Sequence, residues 1–523
     1  QTARERFAAM TLFLLICLPF SLVQAQTVKV NGRVTDDLNE PMIGVSIVEK
    51  GTANGCITDI DGNYTLNVKQ GATLVYSYIG YVALERKAVA GVMNIILKED
   101  AQALDEVVVV GYGVQKKSSV TGAISQVKSE DIQNRSITRA EEALQGKTAG
   151  VQLVSTTSQP GSSPTIRIRG FSSNGTSDPL YVVDGLIVND LSSIDPNNIK
   201  SMEVLKDAAS AAIYGAQAGN GVVLITTKSG SQGTSSISYD FQYSINSLAR
   251  RPELLNSQEY LTQMKEADPT FTDVNIRELI SNGVWDGVSS TDWYDVAFNA
   301  SPASRHTVTF QGANDKGSYF LSLNNLYDNG IIREDRDTYK RLSVMLNADY
   351  KIKPWLKVGT TANYANYTSK AISDGSGGTS YVSMIATVMT LAPYIADTYP
   401  ADALPTQMQA QIANGFTLLQ NANGDYYSCL GTMEQVHPMV AIRMNDKKNT
   451  GNSLMGTLYA NFTPIKDLVF TTRLGYRIAT DNTYTHNNLY YGSASASNKD
   501  RNGVTRTSLS TTYYQWENFV NYN

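Results

Sequence analysis

The sequence has 523 residues, of which 17% are charged, and its formal net charge is −5 at pH 7. A chain of this length has room for several domains. No basic patch with interleaved aromatic residues is present, so the charge pattern indicates no nucleic-acid partner. The 39 glycines and 30 tyrosines, with many Thr, Ser and Asn residues, predict a β-rich protein with much exposed surface.

Neither a cofactor nor a reaction is expected from the side chains that usually carry chemistry. The three histidines, His306, His437 and His486, lie far apart and lack the spacing of metal ligands. No grouping of a nucleophile, a base and an orienting residue is visible along the chain. An enzyme is therefore the least favoured class.

The N-terminus predicts a secretory signal peptide over residues 1–25. Arg4 and Arg6 precede an apolar run from Phe7 to Val23, and Ala25 offers a small residue for cleavage. The alternative is a membrane anchor, but the apolar run is short. No later stretch has 18 uninterrupted apolar residues, so no other helical membrane span is expected. Because the first residue is not Met and the last residues interrupt a strand-like pattern, we expect a piece of a longer protein.

Residues 27–99 predict a small β-sandwich of about seven short strands separated by turns. The turn Asp59–Asn63 has its glycine at the fourth position, where a calcium-binding EF-hand loop has it at the sixth, so a hairpin turn is favoured over a calcium site. The patterns at Asn31–Val34, Gly44–Ile47 and Asp59–Tyr64 resemble the carboxypeptidase-regulatory-like domain, whose members of this kind are not catalytic.

A β-branched run lies in the linker 100–117, between polar segments. Such a run favours an extended strand, which could add to the sheet edge of another protein; an ordinary core strand is the alternative. The run resembles the TonB box of the SusC/RagA-type outer-membrane transporters, a segment that TonB pulls from the periplasm. The residues of this predicted TonB box are Asp105, Glu106, Val107, Val108, Val109, Val110, Gly111 and Tyr112.

Residues 118–230 alternate short strands and short helices, which predicts an α+β domain. Three patches, Ile168–Phe171, Pro179–Gly185 and Val204–Val222, resemble the plug domain of the same family. A phosphate-binding loop is excluded, because the glycines near Gly215 lack the following Lys-Ser/Thr pair. The predicted plug-motif residues are Arg167, Arg169, Gly170, Asp184 and Gly185. For Arg167 and Arg169 we expect ion pairs with a barrel wall rather than contacts with a substrate.

Residues 231–523 contain ten-residue segments in which apolar and polar residues alternate, as Leu342, Val344 and Leu346 do. This pattern is typical of a transmembrane β-barrel, although a soluble sandwich also alternates. The alternation of short and long connections favours the barrel. Its complete form needs about 22 strands to enclose a plug, so eight strands are only the first part. The candidate strands are 235–248, 303–313, 317–328, 338–350, 355–368, 452–463, 467–480 and 505–521; the short connections are at Asp315–Lys316, Lys351–Pro354 and Pro464–Lys466.

The resemblance implies TonB-dependent import of a large nutrient across the outer membrane, with the N-terminal domain in the periplasm. An oligosaccharide is the first expectation, and an oligopeptide or a siderophore/cobalamin-type cargo is the alternative. Implied partners are TonB with ExbB and ExbD, a SusD-like surface lipoprotein, outer-membrane lipid, and a second copy of the transporter–lipoprotein pair. In the long connection after 371, we expect Tyr381, Tyr394, Tyr426 and Tyr427 to pack on the lipoprotein or within the loop rather than to stack on sugar rings.

Overall fold

The computed structural model describes residues 27–37, 40–52, 54–78, 81–98, 107–110, 113–116, 124–133, 135, 137–155, 157, 159–171, 177–230, 235–372, 383–430 and 434–522. The signal peptide predicted for residues 1–25 lies outside them. The chain divides into two compact units, one from the N-terminus to Val108 and the other mainly from Thr121 onward. The mainly β fold class predicted from the sequence is confirmed, with an N-terminal β domain, a plug-like domain and a large antiparallel sheet.

The N-terminal unit is a sandwich of two sheets around one apolar core. One sheet joins β4, β1 and β7, with β8 also on β1, and the other has the order β3-β2-β5-β6. Strict alternation along β4 turns Tyr64, Leu66 and Val68 inward. There they meet Ile47 and Leu74 from the opposite sheet. The strands are β1 Thr27–Thr35, β2 Ser46–Glu49, β3 Gly55–Ile57, β4 Asn63–Lys69, β5 Thr73–Ser77, β6 Leu84–Lys87, β7 Gly91–Val92 and β8 Ile95–Ile96.

The turn at Asp59–Asn63 is tight, but the predicted hairpin is wrong, because β3 and β4 belong to different sheets. The Asp59 carboxylate accepts hydrogen bonds from the backbone N–H groups of Asp61 and Asn63, at 3.0 and 2.8 Å. Gly62 has a φ of 75°, and a Cβ there would lie 2.6 Å from the Val34 carbonyl oxygen. Among the described residues, no group of three His, Cys, Asp or Glu side chains could hold a metal ion.

The linker forms a two-stranded ribbon of β9 Val107–Val110 and β10 Gly113–Lys116. The valine run is therefore extended, as its β-branched residues predict. The expectation of a strand without a local partner is wrong, since β10 pairs with it. Asp105, Glu106, Gly111 and Tyr112 lie outside the described residues.

The plug region (residues 124–230) is built on a five-stranded sheet with the order β11-β16-β17-β14-β15, and β12 pairs with β13 separately. Both faces of β17 are buried, which explains its aliphatic run Val222–Ile225, whereas β16 exposes Lys200 and buries Glu203. Short helices cover the sheet. The elements are β11 Ile124–Lys128, α1 Ser129–Gln133, β12 Val151–Val154, β13 Thr165–Ile168, β14 Leu180–Val183, β15 Leu186–Val188, β16 Ile199–Leu205, α2 Ala208–Ala211 and β17 Val222–Thr227, with 3-10 helices at Ala140–Leu144, Pro196–Asn198 and Ala212–Ala218.

Eight antiparallel strands form the wall sheet, in the order β18-β19-β20-β21-β22-β25-β26-β29. All eight candidate strands are present in their predicted order, and the three predicted short connections are confirmed between β19 and β20, β21 and β22, and β25 and β26. The strands from here on are β18 Ser235–Asn246, β19 Ser301–Ala313, β20 Gly317–Asn329, β21 Thr338–Lys353, β22 Leu356–Lys370, β23 Thr398–Tyr399, β24 Tyr426–Tyr427, β25 Asn445–Ile465, β26 Leu468–Asn487, β27 Tyr490–Ser493, β28 Ala496–Asn498 and β29 Gly503–Tyr522.

The two faces of the wall sheet have the opposite burial from those of a soluble sandwich. Along β21, Leu342 and Leu346 are exposed, whereas Arg341, Ser343 and Asn347 are buried. The polar face is covered by the plug region, and the apolar face is bare. Since lipid replaces water outside a transmembrane barrel, this inversion favours the barrel over the sandwich.

The connections at the other end of the strands carry a helical domain that the sequence pattern did not predict. We call it the loop domain; its core includes Trp293, Met384, Met408 and Val436. Among the described helices, none combines the length and apolar character that crossing a membrane requires. The helices are α3 Ser257–Ala267, α4 Asp273–Ser281, α5 Trp293–Ala297, α6 Met384–Thr390, α7 Thr406–Ala413 and α8 Pro438–Ala441, and a 3-10 helix spans Arg333–Asp335.

Tyrosines of the loop domain pack within it. Tyr427 is buried in its core, and the Tyr394 ring lies 5.9 Å from the ring of Tyr260. Sugar stacking is therefore excluded for Tyr427 in this conformation. Tyr426 is half-buried, and Tyr381 lies outside the described residues.

The apolar face of the wall sheet gives a first prediction. Leu458 lies midway along this face and is 50% exposed. We expect Leu458→Arg to lower the free energy of unfolding in lipid vesicles by about 2–4 kcal/mol, because it places a cation against hydrocarbon. Asn482→Arg is the matched control, since Asn482 lies on the same face beyond the apolar rows. Denaturant titration of the folded fraction measures both; equal stability of the two variants would contradict a lipid-facing sheet.

Candidate functional site

A buried ion pair joins the plug region to the wall sheet. Arg341 points from β21 into the interface, and its Nη2 lies 2.7 Å from Oδ2 of Asp195, with both side chains 0% exposed. Arg341 also donates from Nη1 to the Ser192 carbonyl oxygen at 3.0 Å. Asp195 uses its other oxygen to accept from the Asn197 N–H at 2.9 Å, which caps a 3-10 helix. The loop before β16 is thus fixed to the wall at a point with no access to water.

Other polar side chains of the wall sheet donate to backbone carbonyls of the plug region. Asn363 donates to the Ser193 carbonyl at 2.9 Å, and Asn347 donates to the Lys228 carbonyl at 2.7 Å. Arg305 donates to the Ile137 carbonyl. Carbonyl acceptors of this kind can be rehydrated at modest cost, because water replaces one hydrogen bond with another. The interface between the plug region and the wall sheet is therefore held largely by directional hydrogen bonds.

The predicted motif residues Asp184 and Gly185 form a turn that contacts the last two strands of the wall sheet. Both have positive φ, 48° and 86°. A Cβ on Gly185 would lie 1.7 Å from Nη1 of Arg473, so any other residue at this position requires the guanidinium to move. The Gly185 carbonyl accepts from Nε2 of Gln515 at 2.9 Å. This turn and the Asp195 loop are two of the regions through which the plug region contacts the wall sheet.

The Asp184 carboxylate ties the turn to the neighbouring strand. It accepts from the backbone N–H and the hydroxyl of Thr227, at 3.0 and 2.6 Å. Burial raises the pKa of Asp184, while the Thr227 hydrogen bonds and the charge of Arg473 act in the opposite direction. Because Thr227 also accepts from Asn347 at 2.7 Å, one network links β14, β17 and β21.

The remaining motif residues do not contact the wall as expected. Arg167 pairs with Asp178, and its guanidinium lies 5.4 Å from the centre of the Phe171 ring, so its ion pair is within the plug region. The expected ion pair of Arg167 with the barrel wall is wrong. Arg169 follows β13 with a φ of 57°, and its N–H donates to the Gly150 carbonyl at 2.9 Å. Gly170, with a φ of 94°, completes this turn.

Sequence reasoning found the turn at Asp184 and Gly185 but missed the buried ion pair and the Asn347 contact. Arg341 and Asn347 lie on the polar face of β21, so the alternation of polar and apolar residues could have predicted that they point inward. Asp195 carried no signal beyond the turn-like Asp-Pro pair. The ion pair joins residues 146 positions apart, and a single sequence contains no information on that pairing.

Comparison with known proteins identifies both N-terminal domains. Residues 116–222 match the TonB-dependent receptor plug domain, and residues 30–109 match the carboxypeptidase regulatory-like domain. The TonB-dependent receptor SusC of Bacteroides thetaiotaomicron is 34% identical over 488 residues, which cover 90% of this chain and 47% of that receptor. The chain belongs to the SusC-like TonB-dependent receptors. TonB-dependent receptor P39 of Formosa agariphila is 36% identical over 355 residues, covering 66% of the SusC-like chain and 33% of P39.

Solved structures show the same fold. The RagAB peptide importer in its open-open state superposes with a TM-score of 0.64 at 24% identity, covering 80% of the SusC-like chain and 47% of the solved chain. A second structure, of the RagAB peptide transporter, gives a TM-score of 0.62 at 24% identity, over 77% and 46% of the two chains. The SusC-like chain spans about half the length of SusC and of these solved chains, and a third of P39.

The buried ion pair gives a second prediction. We expect Arg341→Met to weaken the seating of the plug region by about 3–5 kcal/mol, because it leaves the Asp195 carboxylate buried and unpaired. Adding Asp195→Asn should recover most of this loss, since Asn keeps the helix cap and no charge remains. Hydrogen exchange of residues 191–198 measures the opening; purely additive effects in this double-mutant cycle would contradict the coupling.

Gly185 gives a third prediction with a control inside the same domain. In Gly185→Ala the alanine has a positive φ and its Cβ clashes with Arg473. In Gly170→Ala the alanine also has a positive φ, but nothing lies within 4 Å of the new Cβ. The positive φ alone costs roughly 1–2 kcal/mol. We expect Gly185→Ala to lower the midpoint of thermal unfolding more than Gly170→Ala. Shortening Arg473 to Ser should remove that difference, and its persistence would show that the clash is not the cause.

Proposed function

We propose that this chain forms the N-terminal and plug portions, with the first barrel strands, of a TonB-driven importer in the outer membrane. The observation that carries the proposal is the inversion of the wall sheet, whose apolar face is bare and whose polar face holds the plug region. A soluble binding protein has no use for such a face. Transport by movement of a plug involves no bond making, so no catalytic group is required.

In this proposal TonB binds the TonB-box residues and pulls on them to move the plug region. The strand Val107–Val110 lies at the edge of a two-stranded ribbon, and the β10 partner covers only one of its edges. Its other edge, or both edges if the ribbon opens, can pair with a strand of TonB. Asp105 and Glu106 before the run, and Gly111 and Tyr112 after it, complete the recognised segment in this proposal.

Traction on this segment reaches the plug region through an edge strand. The chain enters at Ile124, the first residue of β11, which pairs with Leu205 at the end of β16. The contacts with the wall cluster at the opposite end of the sheet: Asp195 precedes β16, Asp184 follows β14, and Thr227 ends β17. We infer that force applied at Ile124 first unpairs β11 from β16 or displaces the whole sheet. The contacts with the wall sheet break later, and water then hydrates the freed groups as the plug region moves.

The proposed cargo is an oligosaccharide, received from a SusD-like lipoprotein on the cell surface. Support comes from the resemblance to the SusC group, which implies an oligosaccharide as the usual cargo; the chain is 34% identical to SusC. An oligopeptide is the second candidate, because the solved structures of this fold include that importer. A siderophore-type cargo is less favoured, since the carboxypeptidase regulatory-like domain accompanies the SusC-type resemblance. ExbB and ExbD with TonB, and pairing of two transporter–lipoprotein units, complete the proposed assembly.

A proline pair tests the TonB box. We expect Val108→Pro with Val110→Pro to abolish growth on the imported nutrient, because proline cannot donate to a β-ladder. The matched control is Val108→Thr with Val110→Thr, which keeps β-branched residues and should support normal growth. Both variants are compared in a strain lacking the chromosomal gene, with equal amounts of receptor in the outer membrane. Full growth of the proline variant would overturn the assignment of the box.

The cargo is tested by growth of the deletion strain on separate glycans and on peptides as sole carbon sources. A defect on one glycan, restored by the intact gene and not by the proline variant, is the expected result. A defect confined to peptides would move the protein to the peptide-importing branch.

A further inference from the structure

A row of cationic side chains crosses the outward face of the wall sheet beyond its apolar rows. Lys370 on β22 stands opposite Lys448 on β25, Lys448 opposite Tyr484 on β26, and Tyr484 opposite Arg506 on β29. On the same face, Lys340 lies one row closer to the apolar rows, opposite Tyr327 and Thr368. All four cationic side chains are exposed. They share the face of Leu342 and Leu454, which is the face turned away from the plug region.

The charges of this row are not balanced by the protein. Lys370 and Lys448 are directly opposite each other on β22 and β25. Like charges in such positions destabilise the pairing of antiparallel strands. Among the described residues, no carboxylate lies within 4.0 Å of the ammonium groups of Lys340, Lys370 or Lys448. Asp446 is paired with Arg336, and Glu334 with Arg443. The row therefore presents positive charge that an external anion can neutralise.

The row also borders a cavity. A space of about 440 Å³ opens at the end of β22 and β25, where Lys370, Lys448 and Tyr484 contribute to its lining. The carboxylates of Glu334 and Asp446 also line it, each in an ion pair with an arginine, and the Lys370 ammonium donates to the Asp335 carbonyl at 3.5 Å. This volume is enough for a phosphorylated sugar rather than a single small ion. The Lys340 ammonium lies 5.0 Å from the centre of the Tyr327 ring, which holds it towards the sheet.

The height of the row on the sheet limits the kind of anion. The last apolar row contains Tyr364, Leu454 and Ile478, and Tyr484 lies six residues beyond Ile478. With tilted strands this places the cationic rows roughly 10–15 Å outside the hydrocarbon. Simple phospholipid headgroups add only about 5–8 Å to each side of the hydrocarbon core. The matching anion belongs to a lipid whose headgroup extends further, through sugars.

We propose that Lys340, Lys370 and Lys448, with Tyr484, bind the phosphorylated headgroup of a glycolipid in the outer leaflet. Ammonium groups act as point charges for phosphate oxygens. Tyr327 and Tyr484 lie in the two adjacent cationic rows, opposite Lys340 and Lys448. This inference rests on the membrane placement of the proposed function, but it requires neither TonB nor a particular cargo.

The test uses the intact receptor purified from outer membranes in mild detergent. Lys340, Lys370 and Lys448 are changed together to Gln, which removes the charge and keeps a polar, unbranched side chain. The matched control changes Lys351, Lys353 and Lys466 to Gln, three exposed lysines at the opposite ends of the same strands. Native mass spectrometry counts the phosphorylated glycolipid that remains bound. We expect the first variant to lose it at least roughly tenfold relative to the wild type, and the control to retain it.

Vesicles distinguish the sources of the anion. Phosphatidylethanolamine vesicles containing the phosphorylated glycolipid should raise the thermal unfolding midpoint of the wild type and not of the first variant. The same rise with phosphatidylglycerol, or with inorganic phosphate alone, would overturn the glycolipid assignment, as would equal glycolipid retention by all three proteins. The variant Lys340→Arg/Lys370→Arg/Lys448→Arg should retain the lipid, which separates lost binding from lost folding. The Val108→Pro/Val110→Pro receptor should also retain it, so failure of import and failure of this site are distinguishable.

Discussion

The structure of the plug region and the wall sheet depends on one constraint, which is that the wall buries its polar face. Once that face is inside, its side chains need partners, and the plug region supplies them. The Arg341–Asp195 ion pair, with both side chains fully buried, is the clearest case. A buried pair of this kind adds little net stability compared with an apolar contact, but it strongly penalises any register in which one partner is missing. It therefore fixes where the plug region sits.

The same chemistry makes the interface reversible. Wall side chains donate mainly to backbone carbonyls, as Asn363 does to Ser193 and Gln515 does to Gly185. In the proposed movement of the plug region, water can replace these donors, whereas exposure of an apolar interface of similar size would carry a large free-energy cost. Specific polar contacts therefore suit the proposed function, in which the plug is closed at rest and opens under force. The apolar core of the plug region lies mainly between its own strands and helices, and of the wall side chains it includes Met455, with Tyr513 packed against it.

The outward face follows from the same alternation. Each strand that turns a polar side chain inward turns the next residue outward, so the apolar rows and the cationic row beyond them belong to one period-two pattern. Where the apolar residues end, Asn and Thr residues follow, and then Lys370 and Lys448. The face is thus graded along the strand, from residues suited to hydrocarbon to residues suited to anionic headgroups.

The sequence by itself determined the features that depend on neighbouring residues. Alternation predicted the eight wall strands and their short connections, β-branched runs predicted β17 and the extended Val107–Val110, and local motifs predicted the plug and the sandwich. Tertiary structure alone decided the partners. Arg167 pairs with Asp178 and not with the wall, while Arg341 meets Asp195 across 146 residues. The loop domain was also missed, because its short helices are stabilised by a shared core and not by strong periodicity of their own. Periodicity is a local property of the chain, whereas the choice of contact between distant residues depends on the whole fold.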